Sequence, residues 1–269
     1  MRKDRVRSAK LPDDAGGSSA DSSEQADKMT VAKPSISKTI ALVALFVGAP
    51  IALVALQVCG IGNYYLTSIA FIVLAIVPFF VSFERKRPQA RELVVLAVMC
   101  ALVIAARAVF AWLPFFKPMA AIIIIAGLAF GARSGFMVGA LSVLASDFIF
   151  GLGPWAPWQM FAYGLAGFVP GLMADCGVFP RSNLSAKDKG WLCVFSALFV
   201  VCVVGVVLDT CTLFTATTQV NAASALAVYG AGLPVNLMQA AATVVTLLLL
   251  ANPLLDKLDR VCVKYGMLR

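Results

Sequence analysis

Met119-Ala120-Ala121-Ile122-Ile123-Ile124-Ile125-Ala126-Gly127-Leu128-Ala129-Phe130 is an apolar run without one polar side chain. Whether it crosses a bilayer decides the direction of every segment after it. A spanning helix needs about 20 apolar residues, so this fourth run, about 118–132, is short. Seven longer candidates surround it, at about 38–58, 64–83, 92–112, 135–152, 158–177, 190–212 and 232–255. Charge placement decides the matter, because Lys and Arg gather in cytoplasmic loops. With eight crossings and an inside start, 20 of the 22 Lys and Arg residues fall on the cytoplasmic side. If the short run turned back instead, the last eight would fall outside. The expectation is therefore an all-α integral membrane protein with eight transmembrane helices and both termini cytoplasmic.

Composition agrees with this. Of the 269 residues, 61% are hydrophobic and 13% are charged, and the mean hydropathy is +0.89. A soluble domain carries about 25% charged residues, so this chain has too few to coat a water-facing surface. A soluble enzyme, a nucleic-acid-binding domain and a disordered chain are excluded. The basic residues lie between apolar blocks and make no single nucleic-acid-binding face. Residues 1–37 are rich in Ser, Ala, Asp, Lys and Arg and read as a disordered tail. Residues 38–84 supply two helices, and 91–260 a six-helix core.

Histidine is absent. That removes His-based metal sites, Ser-His and Cys-His catalytic pairs, and imidazole proton relays. The seven cysteines include no C-x-x-C and match no metal spacing. No Walker A sequence and no hydrolase or metalloprotease signature occurs. The chain reads as a non-enzyme with no cofactor, no metal and no ATPase of its own.

Two basic residues escape the cytoplasmic loops, Arg107 late in the third helix and Lys117 in the turn Leu113-Pro114-Phe115-Phe116-Lys117-Pro118. On the expected topology both lie toward the outer surface. So do Asp147, Asp209, the i, i+4 pair Gln159 and Tyr163, and the i, i+3 pair Asn236 and Gln239. A charge at the bilayer centre costs about 2.5–3.5 kcal/mol on insertion scales. Such groups therefore face the bundle interior or water. The inner halves are mostly Ala, Val, Leu, Ile and Gly, which suits a pocket open to the outside and closed below rather than a channel lined throughout. The candidate substrate-binding residues are Arg107, Phe115, Lys117, Asp147, Trp155, Trp158, Gln159, Tyr163, Asn236 and Gln239. Plainer roles stand beside these: Arg107 can snorkel to the interface with Asp147 as a structural partner, and Trp112, Trp155 and Trp158 fit an interfacial aromatic belt as well as stacking on a ligand. On the third helix, Ala97, Ala101 and Ala105 recur every fourth residue, a flat stripe that admits another helix closely, within the bundle or from outside it.

The alanine stripe, together with Gly153-Pro-Trp-Ala-Pro-Trp-Gln-Met-Phe-Ala-Tyr-Gly-Leu-Ala-Gly167 and the preceding Asp147-Phe-Ile-Phe-Gly151, resembles the substrate-binding S component of energy-coupling factor (ECF) vitamin importers. Within that family it looks most like the group that includes cobalamin-type S components. The resemblance covers about residues 91–260. It implies capture of a vitamin from outside and docking, through Ala97, Ala101 and Ala105, on a transmembrane coupling protein that carries two cytosolic ATPases. It also implies that the turns around Lys117, Trp155 and 215–232 close over the ligand. The two helices ahead of the core are not required by that family. The competing reading is a self-sufficient secondary transporter or channel for a small organic solute. It would show repeated halves and polar groups at the midplane.

Overall fold

The computed structural model describes residues 90–217 and 220–264, together with Ile69, Ile72, Val73 and Ile76. Its described part consists of helices joined by turns and loops, with no strand among the described residues. The elements are α1 (Ala90–Val109), α2 (Met119–Phe130), α3 (Ala132–Phe150), α4 (Ala156–Asp175), α5 (Ala186–Phe199), a π segment (Val200–Gly205), α6 (Val206–Ala216) and α7 (Ala222–Lys264). The α5–π–α6 run forms one rod, Ala186–Ala216. Four stretches are long and apolar enough to cross a membrane: α1, α3, the α5–α6 rod and α7. The helices expected at 38–58 and 64–83, and the tail, lie outside the described residues apart from the four isoleucine and valine positions just named.

The helices alternate in direction. Arg107 at the end of α1 meets Asp147 at the end of α3, so these two ends lie together. At the other end of the bundle, the α3 N-terminus meets Asp175 at the end of α4. α2 thus carries the chain from the first end to the second. Its 12 residues rise only about 18 Å, short of the roughly 30 Å hydrocarbon layer. It tolerates this because it faces protein and not lipid: every residue from Met119 to Ala129 is buried. An apolar run with no periodicity is what a core helix surrounded on all sides requires.

Glycines let α2, α3 and α4 come into backbone contact. A Cβ on Gly127 would stand 2.1 Å from the Gly167 carbonyl oxygen, and one on Gly167 2.1 Å from that of Gly135. Side chains at these positions would force the helices apart, so the core of the bundle depends on having none there.

Two expected boundaries change. The last helix begins at Ala222 and not near 232, with Pro234 and Pro253 inside it. Its start is capped reciprocally: Ser224 N–H donates to Asn221 Oδ1 at 2.8 Å, and Asn221 N–H to Ser224 Oγ at 3.0 Å. The segment expected to form a closing turn at 215–232 is therefore largely the first turns of α7, and only the short stretch before Ala222 connects it to α6. At 43 residues α7 is about 65 Å long, more than twice the thickness it has to span.

Asp175 ties the far end together. Its Oδ2 accepts the Ala132 backbone N–H at 3.1 Å, and its Oδ1 pairs with Arg181. Gly131, at φ 86°, makes the one-residue joint between α2 and α3, and a Cβ there would stand 2.9 Å from Asp175 Oδ1. From sequence, Asp175 reads only as a residue exposed near headgroups. Replacing it by Ala should lower the melting temperature in detergent by about 2–4 °C, through the loss of about 1 kcal/mol of charge-assisted hydrogen bonding at a partly exposed site. An unchanged melt would show that the tie contributes nothing.

Candidate functional site

Asp147 is fully buried on α3, one turn before its end. A carboxylate there needs a partner, and α1 delivers one. Arg107 Nη1 donates to Asp147 Oδ1 at 2.8 Å and also hydrogen-bonds Ser146 Oγ. The guanidinium lies 4.9 Å from the centre of the Phe150 ring, close enough for a cation–π contact. Ser146 in turn donates to the Val143 carbonyl at 3.0 Å. Arg107 is only 12% exposed. Its guanidinium is turned onto α3, where it makes a charge pair between two helices with Asp147, the partner that the plainer reading also named. Asp147 Oδ2 is buried and has no hydrogen-bond partner among the described residues.

Lys117 occupies the turn between α1 and α2. Burial, followed by the nearby Arg107 charge, pushes its ammonium below the usual lysine range, with Asp147 pulling the other way. The same two charges act on Tyr163, which is buried on α4. Tyr163 Oη lies 3.4 Å from Gln239 Oε1 on α7, a long hydrogen bond. Arg107, Lys117, Asp147, Tyr163 and Gln239 therefore form one neighbourhood, drawn from α1, the following turn, α3, α4 and α7.

A second polar pair joins α6 and α7. Asn236 Nδ2 donates to Asp209 Oδ2 at 2.8 Å, and nearby Thr210 Oγ1 and Tyr229 Oη share a hydrogen bond of 2.8 Å. Trp158 is buried at the start of α4, edge-on to Phe214 with ring centroids 5.9 Å apart, and its indole Nε1 has no hydrogen-bond partner among the described residues. That position separates it from an interfacial belt. Trp155, 43% exposed, folds its ring back over Gly153, where a Cβ would stand 2.5 Å from the indole. Gln159 is half-buried one turn before Tyr163. Trp112 and Phe115 are exposed, and Phe115 takes a left-handed φ of 64°, which is uncommon for a side chain of its size.

Ala97, Ala101 and Ala105 line the outside of α1. All three are exposed, as are the adjacent Val94 and Val98, while Leu96, Met99 and Val103 turn inward. Within the described residues the alanine stripe is not used for packing the bundle.

A family model described as ECF-type riboflavin transporter, S component, matches residues 88–256. That range is more than half of the chain, and it contains all seven helices except the last turns of α7.

The chain belongs to this family of ECF S components.

It is thus a multi-pass membrane protein, a substrate-specific component for vitamin uptake, in a family of transport components and not of enzymes. The narrower likeness to cobalamin-type S components is not confirmed by this match. No curated protein and no solved structure matches the chain significantly.

Some features of the S component were not evident from sequence. Ser146 and Phe150 hold Arg107, and both sit beside Asp147 on α3. The i, i+4 rule could have placed Phe150 on the Ser146 face. Asp209 faces Asn236 across two helices, a pairing that no sequence spacing announces. Phe214 against Trp158 is of the same kind.

Proposed function

We propose that this S component captures riboflavin, or a closely related flavin, at the end of the bundle formed by Arg107, Lys117, Asp147, Trp155, Trp158, Gln159, Tyr163, Asn236 and Gln239, with Phe115 at its rim. The observation that carries this is convergence: five helices and one turn bring their few polar side chains to one end, above an apolar α2. Two cations, Arg107 and Lys117, stand against two acids, Asp147 and Asp209. That balance suits an uncharged ligand with several donors and acceptors. The aromatic residues at the same end suit a flat ring system, which stacks offset on Trp or Phe, and the family's description names such a ligand. A cobalamin-type ligand is the competing outcome.

The opposite end carries Arg133, Arg181, Lys187, Lys189, Lys257, Arg260 and Lys264. By the positive-inside rule that end is cytoplasmic, so the ligand end faces out and the C-terminus lies inside. The exposed alanine stripe then docks on a transmembrane coupling protein carrying two ATPases. Residues 38–84, ahead of the six-helix core, are extra to this scheme.

Reconstitution separates this reading from a self-sufficient carrier. In liposomes holding the S component alone, riboflavin should bind and not accumulate. Accumulation should require the coupling protein, its ATPases and ATP. Gradient-driven uptake by the S component alone would overturn the proposal.

A further inference from the structure

The rod Ala186–Ala216 changes its winding once, at the π segment Val200–Gly205. A π turn holds one residue more than an α turn, which rotates everything after it by about 100° relative to an unbroken α-helix. Asp209 follows directly, four residues beyond Gly205 and on the same face. On α7, Gly232 and Asn236 have the same spacing. The two motifs interlock. A Cβ on Gly205 would stand 2.5 Å from Asn236 Cγ and Nδ2, and a Cβ on Gly232 2.4 Å from Asp209 Oδ1. Each glycine makes room for the polar side chain of the other helix, and the two side chains meet at 2.8 Å.

The geometry points to a register device. The π segment and the two glycines turn Asp209 onto Asn236, and Asp209 thereby fixes which end of the Asn236 amide is offered to the ligand. A carboxylate only accepts, so it holds the amide NH2 toward itself. Asn236 Oδ1 makes no hydrogen bond among the described residues. It is left as an acceptor, so the matching ligand group is an N–H or O–H donor, such as the imide N–H on the edge of a flavin ring. Asp209 is then a positioning residue that sets donor specificity without touching the ligand. This inference rests on the flavin reading above.

The test uses the full-length protein in detergent and two probes, riboflavin and riboflavin methylated on its imide nitrogen. D209N frees the Asn236 amide to turn over. Riboflavin affinity should fall up to about tenfold, the value of one hydrogen bond between neutral groups, while affinity for the methylated probe changes less than about twofold. G205A, which pushes on Asn236, should behave in the same way. The exchange D209N/N236D restores a donor facing a carboxylate and leaves an acceptor at 236, so riboflavin preference should return. Equal losses for both probes, or no recovery in the exchange, would overturn the inference. If the unaltered protein binds neither probe, the flavin reading fails, and melting decides the register device by itself. N236D sets two carboxylates face to face and should melt lower, and the exchange should recover the loss. An exchange that melts no higher than N236D would overturn it.

Discussion

Asp147→Ala should lower the stability of the detergent-solubilised protein by about 3–5 kcal/mol, the cost of leaving a buried charge without its partner. The stranded charge is Arg107, 12% exposed and held otherwise by Ser146 and the Phe150 ring. Ligand affinity should fall at least tenfold in whatever fraction stays folded, because the guanidinium is free to swing toward the space the ligand takes. Removing both charges, as Arg107→Leu with Asp147→Leu, should recover most of the stability and none of the binding, since an apolar pair of similar volume replaces a buried ion pair at little cost. The measurements are thermal melts and ligand titrations on the same preparations. A single variant that melts with the unaltered protein would show that the pair is solvated and not buried. A double variant that binds normally would remove Arg107 and Asp147 from the site.

Ala101→Leu should abolish uptake into cells and leave binding by the purified protein unchanged. Ala101 is exposed at the middle of the stripe on α1, flanked by Ala97 and Ala105. Added bulk there meets nothing within the described residues, so the fold has no reason to suffer. A partner helix that needs close backbone approach would be held off by the leucine side chain. Uptake is read with labelled riboflavin, assembly by co-purification of the coupling protein. Normal uptake with normal assembly would take the stripe out of the interface. Weakened binding with intact assembly would assign it to the bundle instead.

These two expectations differ in how they could be read from sequence. The stripe is visible in one dimension, because a spacing of four on a helix is a face whatever surrounds it. Arg107, Asp147, Tyr163 and Gln239 stand out because polar groups in apolar runs are few and expensive; the pairing of Arg107 with Asp147 is legible as one option, and that of Tyr163 with Gln239 is not. The hidden features are those set by contacts between segments. Met119–Phe130 carries no periodicity, so sequence cannot separate a helix buried in protein from one facing lipid. Gly127, Gly135 and Gly167 look like ordinary small residues until three helices are brought together. The early start of α7 is concealed by Ala222–Gly232, whose Ala, Ser and Gly residues have little hydropathy signal and whose capping by Asn221 and Ser224 is easily taken for a loop. The π segment is invisible for a related reason: Val200-Val201-Cys202-Val203-Val204-Gly205 fits either winding, and only the match of Asp209 with Asn236 selects one.

The central claim is that this chain by itself captures a flavin, with no nucleotide and no second protein. The most direct measurement is a fluorescence titration of riboflavin with the purified full-length protein in detergent, ATP absent. The account predicts saturable quenching at one flavin per chain, reversed by an excess of a non-fluorescent riboflavin analogue and weakened in Asp147→Ala. Fluorescence that stays at its free value at every protein concentration would contradict it.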